Sequence, residues 1–202
     1  MTPEQIADNK KTIIDLLHTV DENCCRGKMD VLIDSMVNKG FFTAPCSTQY
    51  HLAEEGGLAE HSLNVFDAMC ALNTSLMNDE LDMNSIILVS LLHDLGKCGD
   101  HGKPNYVPKV LKSGKAAASP YETNKELTYE EHEIRSLLIA ERCIYLTEQE
   151  ETAILHHNGL YGKLDSAYGT HNFDKEPLTF LLHTADMWVS RFVEVEKKGE
   201  NE

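Results

Sequence analysis

The sequence predicts an all-α fold, a helical bundle with an N-terminal helical extension, and three observations carry that expectation. Apolar residues recur at helical spacing along most of the 202 residues. Two Thr-x-x-Glu pairs mark helix starts, and glycine or proline punctuates the segment ends. A chain of this length buries a core without disulfide staples.

The elements follow in order. Residues 4–20 place Ile6, Ile13, Leu16, Leu17 and Val20 at roughly helical spacing, and residues 29–37 put Met29, Leu32, Ile33, Met36 and Val37 on one broad face. Residues 40–50, with Pro45 and small polar residues, read as a structured connection. Gly56-Gly57 opens a helix with Leu58, His61, Val65 and Met69 near one stripe. The most apolar segment, 85–95, is expected to stop at Gly96 in a left-handed cap. Residues 100–121 contain Gly102, Pro104, Pro108, Gly114 and Pro120 and read as a long loop. Thr128 with Glu131 and Thr147 with Glu150 form capping boxes for two further helices, the second stopping at His156-His157-Asn158-Gly159. Residues 161–175 read as a loop or small hairpin. Pro177 then starts the helix that carries Leu182, Asp186, Val189 and Val193. The expected organisation is an extension at 1–45, a main domain at 46–194 and a frayed acidic tail at 195–202.

Composition narrows the partners. The formal net charge of −15 repels phosphate backbones and disfavours a long nucleic acid, whereas a small phosphorylated molecule remains compatible where divalent cations reverse the local field. No segment is apolar and long enough to span a bilayer, and the N-terminus lacks the basic start and apolar run of a signal peptide, so a cytoplasmic protein is expected. The six cysteines (Cys24, Cys25, Cys46, Cys70, Cys98, Cys143) form no CxxC pair and read as reduced thiols, mostly buried. Residues 4–38 serve either to pack on the domain or as a homodimer surface.

The chemistry is carried by polar residues at positions where the periodicity calls for apolar ones. His61 lies on the stripe of its helix, His93-Asp94 ends the most apolar helix, and Asp186 sits between Leu182 and Val189. A buried ionised carboxylate is costly unless paired or metal-bound, and imidazole with carboxylate suits several divalent ions. Each residue alone reads as an ordinary core histidine or a capping aspartate. Together they point to a cation site.

Gly56-Gly57-Leu58-Ala59-Glu60-His61-Ser62-Leu63, Leu91-Leu92-His93-Asp94-Leu95-Gly96-Lys97 and Leu182-His183-Thr184-Ala185-Asp186 resemble the HD-domain superfamily of metal-dependent phosphohydrolases over residues 50–192. The style is nearest to HD domains found with bacterial 3′–5′ exoribonucleases and to small stand-alone phage or bacterial HD proteins. The resemblance implies that His61, His93, Asp94 and Asp186 hold one divalent metal, with Asp94 able to bridge to a second. Extra ligands for that second metal match His132 and one of His156 and His157, with His157 the better match. The metal is manganese, iron, magnesium, nickel, zinc or cobalt. The implied reaction is hydrolysis of a nucleotide, cyclic or short oligonucleotide phosphoester by a water that the metal activates, with Asp94 orienting that water or taking its proton. Lys97, Lys125 and Arg191 are candidates for the substrate phosphate, and His51 matches a phosphate contact upstream of the first ligand. His183 reads equally as a support for the site or as core, His101 as a candidate general acid, and His18 and His171 as surface residues. Two other classes stay open: an HD-type di-iron oxygenase with an overlapping ligand set, and a non-catalytic module that binds a nucleotide or a partner.

Overall fold

The computed structural model describes residues 1–20, 27–111, 116–159 and 175–195. The expectations for Cys24, Cys25, His171, most of the 161–175 segment and the tail from 196 onward lie outside the described residues. Among the described residues the chain is mostly helical, with two small antiparallel sheets.

Helix α1 (Pro3–Thr19) starts on a complete capping box, Thr2 with Gln5, and has proline in its first turn. Its apolar stripe, Ile13 and Leu17 with Val20, is fully buried against α3 (Gly57–Met77) and α4 (Met83–Leu92). Polar clasps fix it there: the N-terminal amine pairs with Glu54, and Asn9 Nδ2 donates to Glu60 Oε2 at 2.7 Å. Helix α2 (Met29–Asn38) adds Met29, Leu32 and Met36 to the same core.

Helix α4 is buried from Ile86 to Leu92 on every side, which explains its continuous apolar run. Its surroundings are α3, α6 (Glu148–His156), α5 (His132–Glu141) and α7 (Pro177–Trp188). Helix α6 begins on the expected Thr147–Glu150 box, and the buried Glu150 also accepts from Ser85 Oγ at 2.7 Å, joining α6 to α4.

Three local expectations are corrected. The helix ending near His93 does not stop on a left-handed Gly96; it runs into a 3₁₀ turn, Leu95–Cys98, and the left-handed residue is Gly99 at φ 103°. Gly96 is required for proximity, because a Cβ there would stand 2.3 Å from the His132 carbonyl oxygen. The stretch 100–121 is no irregular loop: it holds β1 (Gly99–Asp100) paired with β2 (Lys103–Pro104), and β3 (Tyr106–Val110) paired with β4 (Ala116–Thr123). Finally, α5 starts at His132 with Glu131 at its cap position and no side-chain cap bond, so Thr128 and Glu131 form no capping box. Thr128 instead gives its carbonyl to Arg135 at 2.8 Å.

Among the described residues no helix is long and apolar enough to cross a membrane.

Candidate metal centre

The ends of α4, α5 and α6, the N-terminal part of α3 and the last turn of α7 deliver polar side chains to one point in the core. His61 comes from α3 and His93 caps α4, with Asp94 next in the chain; His132 opens α5, His157 closes α6, and Asp186 lies on α7. The side chains of His61, His93, Asp94 and His157 are almost completely inaccessible, whereas those of Asp186 and His132 are 20% and 24% exposed.

The arrangement has two lobes that share Asp94. In the first, His61 Nε2 lies 3.3 Å from His93 Nε2, 3.3 Å from Asp186 Oδ1 and 3.5 Å from Asp94 Oδ2. In the second, His132 Nε2 lies 3.3 Å from His157 Nε2, and Asp94 Oδ1 stands 3.2 Å and 3.6 Å from those two nitrogens. Asp94 Oδ1 is buried without a hydrogen-bond partner.

For His61, His93 and His157 the far ring nitrogen is already engaged, whereas Glu133 Oε2 beside His132 has no hydrogen-bond partner. His93 Nδ1 and His157 Nδ1 face the carbonyls of Ser90 and Ile154 at 2.9 Å and 2.7 Å. His61 Nδ1 faces Glu194 at 3.0 Å, and His132 Nδ1 faces Glu133 Oε2 at 3.2 Å. Carbonyls and carboxylates accept, so in those three rings Nδ1 carries the proton and Nε2 turns a lone pair inward. Two such lone pairs at 3.3 Å repel unless a cation lies between them. This is the pattern by which histidine ligands are oriented for metals.

Burial works against charge on His61, yet the Asp186 and Glu194 carboxylates outweigh it and raise its pKa well above the ordinary value. Burial likewise opposes, and Asp94 prevails, in raising His157. Their neighbour His93 is pushed by burial down to about 3 and stays neutral. Burial resists ionisation of Asp94, but Lys97 holds its carboxyl well below the usual range. Asp186 is also held low, its burial being outweighed by His61. Cys46, beside His61, is pushed up to about 11 by burial and remains a neutral thiol.

The remaining candidate residues are distributed as follows. Lys97 Nζ pairs with Asp94 Oδ2 at 2.6 Å and lines a cavity of about 260 Å³ with Tyr106, Tyr121 and Lys39. The His51 ring lies tilted at 39° to that of His61 with centroids 5.3 Å apart, and its Nε2 is buried without a partner. Arg191 lines a cavity of about 180 Å³ that reaches Asp186. Lys125 is exposed and lines, with His132 and Tyr106, a cavity of about 520 Å³. His156 is half-buried and falls outside the ligand groups, whereas its neighbour His157 belongs to two of them. His101 points away on the exposed side of Asp100, and His18 is exposed beside Asp30. His183 Nδ1 donates to the His157 carbonyl at 2.8 Å, which braces that residue.

Sequence reasoning missed two carboxylates. Glu194, assigned to the edge of a frayed tail, has an almost fully buried side chain against His61, and Glu133 is 3% exposed behind His132. The available signal for Glu194 was its place eight residues after Asp186, close to two helical turns.

The fold and site define a mostly helical protein with a buried His/Asp cluster that could hold metal ions. No protein-family model, curated protein or solved structure matches the chain.

Proposed function

We propose that the chain is an HD-type metal-dependent phosphohydrolase with a two-cation centre, acting on a small phosphorylated, nucleotide-like molecule. The observation that carries this reading is Asp94, which offers one carboxylate oxygen to each of two histidine pairs whose Nε2 atoms converge at 3.3 Å. The order His61, His93-Asp94, Asp186, with His132 and His157 between, supports the same family.

Divalent cations in such a centre supply an acidified water and charge neutralisation on the phosphoryl oxygens. The chain's own groups do the rest. Lys97 brings a cation to the cavity wall next to Asp94, where a substrate phosphate in the 260 Å³ cavity would meet it. Asp94 and Asp186, held ionised, keep anionic charge fixed at the centre instead of drifting with pH. The 520 Å³ cavity beside His132 offers room for the remainder of the substrate, with Asn105, Asn124, Tyr106 and Tyr129 as its polar and aromatic walls. The acidic chain opposes a long nucleic acid there. Free cysteines at Cys46, Cys70, Cys98 and Cys143 fit work in the reducing cytoplasm.

The test is a hydrolysis panel with added manganese: a generic phosphodiester, mononucleotides, cyclic dinucleotides and short RNA, with Asp94→Ala in parallel. Turnover that disappears in the variant supports the proposal. Silence across the panel from protein that binds manganese overturns it and moves the assignment to an oxygenase or a binding module.

A further inference from the structure

Behind the two lobes stands a repeated arrangement of three side chains. In the first lobe Asn64 Nδ2 donates to Glu194 Oε1 at 3.0 Å, and Glu194 faces His61 Nδ1. In the second, Asn158 Nδ2 donates to Glu133 Oε1 at 2.5 Å and also stands 3.3 Å from His132 Nε2, and Glu133 Oε2, without a hydrogen-bond partner, lies 3.2 Å from His132 Nδ1. The segments involved are unrelated: Asn64 lies one turn along α3 from His61, whereas Asn158 follows α6 and reaches back to α5. Each lobe therefore has one histidine backed by a carboxylate and one backed by a main-chain carbonyl, and in each the carboxylate is itself held by an asparagine amide.

Both glutamates are placed where an idle carboxylate would be costly. The Glu194 side chain is 1% exposed and Glu133 is 3% exposed, and no lysine or arginine neutralises either one among the described contacts. Buried charge of this kind persists only when it meets a positive partner. A histidine bound to a divalent cation is such a partner, because coordination at Nε2 draws density from the ring and strengthens the Nδ1–H bond to the carboxylate.

We infer that Glu194 and Glu133 are positioning residues that set the cation affinity of the two lobes separately, Glu194 with Asn64 for the His61 lobe and Glu133 with Asn158 for the His132 lobe. The inference rests on the metal-centre reading of the same site. Glutamine at either position keeps the shape and an accepting oxygen but removes the charge, so cation affinity falls in that lobe alone.

The experiment is calorimetric titration of manganese chloride into metal-free protein. Wild type gives two binding events; Glu194→Gln weakens one and Glu133→Gln the other, each by about 10- to 100-fold. His132→Ala assigns them: in that background Glu194→Gln still weakens the surviving event and Glu133→Gln leaves it alone. Asn64→Ala and Asn158→Ala, which leave the carboxylates in place, produce smaller losses in the same lobes, with unaltered far-ultraviolet circular dichroism as the check on folding. Two events of unchanged affinity in both glutamine variants overturn the inference and leave the metal centre standing. Wild type that takes up no manganese overturns both.

Discussion

The Nζ of Lys97 lies 2.6 Å from Oδ2 of Asp94, the oxygen that Asp94 also turns toward His61 and His93. A carboxylate engaged by an ammonium on one side and by imidazoles on the other is a shared acceptor. A cation held at this centre would compete with Lys97 for Asp94 and so leave Lys97 available to the cavity it lines. Lys97→Ala is expected to lower kcat/KM on the substrate phosphoester by about 100-fold, as removal of a transition-state charge partner does, while manganese still binds. Unchanged turnover would remove Lys97 from the substrate site.

Asp94 joins the lobes, whereas His132 serves one. Metal analysis after dialysis should find both cations lost from Asp94→Asn and one retained by His132→Ala, held by His61, His93 and Asp186. Two retained ions in Asp94→Asn would contradict the shared carboxylate.

Stability toward acid should depend on Asp100, which lies apart from the metal ligands. Burial opposes its ionisation, but Lys39, Arg142 and the His101 amide outweigh burial and hold its carboxyl well below the usual carboxylate range. A depressed folded pKa means stability that is complete above the unfolded value, about 3.9, and is lost as pH falls toward the folded value. Asp100→Asn should cost about 2 kcal/mol at neutral pH, the size of hydrogen bonds to a charged group. Urea unfolding from pH 7 to pH 3 should show that difference shrinking with acidification. A constant difference would mean that the ion pairs contribute nothing.

Gly96 couples the 3₁₀ turn to α5. Its amide donates to Ser136 Oγ at 2.7 Å, and an added methyl would collide with the His132 carbonyl and the Ser136 nitrogen. Gly96→Ala is expected to destabilise the protein by about 1–3 kcal/mol through overpacking. Because the collision is with the His132 main chain, second-lobe manganese affinity should fall as well. Thermal unfolding and metal titration together check this, and a neutral variant in both would show that α5 yields freely.

Much of the centre was legible because ionisable residues interrupt otherwise apolar helical stripes. His61 between Leu58 and Val65, and Asp186 between Leu182 and Val189, break a local pattern that one sequence is enough to display. The choice of His157 over His156 follows from how the helix ends, with His156 in the last turn and His157 at the cap facing inward. The hairpins were hidden for the opposite reason. Their strands are defined by pairing across the turn, Tyr106 with Thr123 and Pro108 with Tyr121, and the prolines that punctuate them suggest a loop to any local reading. Gly96 shows another limit, since glycine at a helix end satisfies either an unusual φ or a close approach, and composition does not separate the two. Glu194 stood in a run of charges whose ordinary place is in solvent.

The π-helical turn Val189–Val193 acts as a gauge of length between two parts of the centre. At 100° per residue, eight residues of regular α-helix would leave Glu194 about 80° around the axis from Asp186. The wider turn, closed by the Glu194 amide on the Val189 carbonyl at 3.0 Å, absorbs that excess and lets both carboxylates address His61. Removing or adding a single residue between them would swing Glu194 by roughly a quarter of a revolution without touching any ligand. The spacing of this segment is thus as much a part of the site as the side chains it carries, and one codon lost there would do the damage of a missing carboxylate.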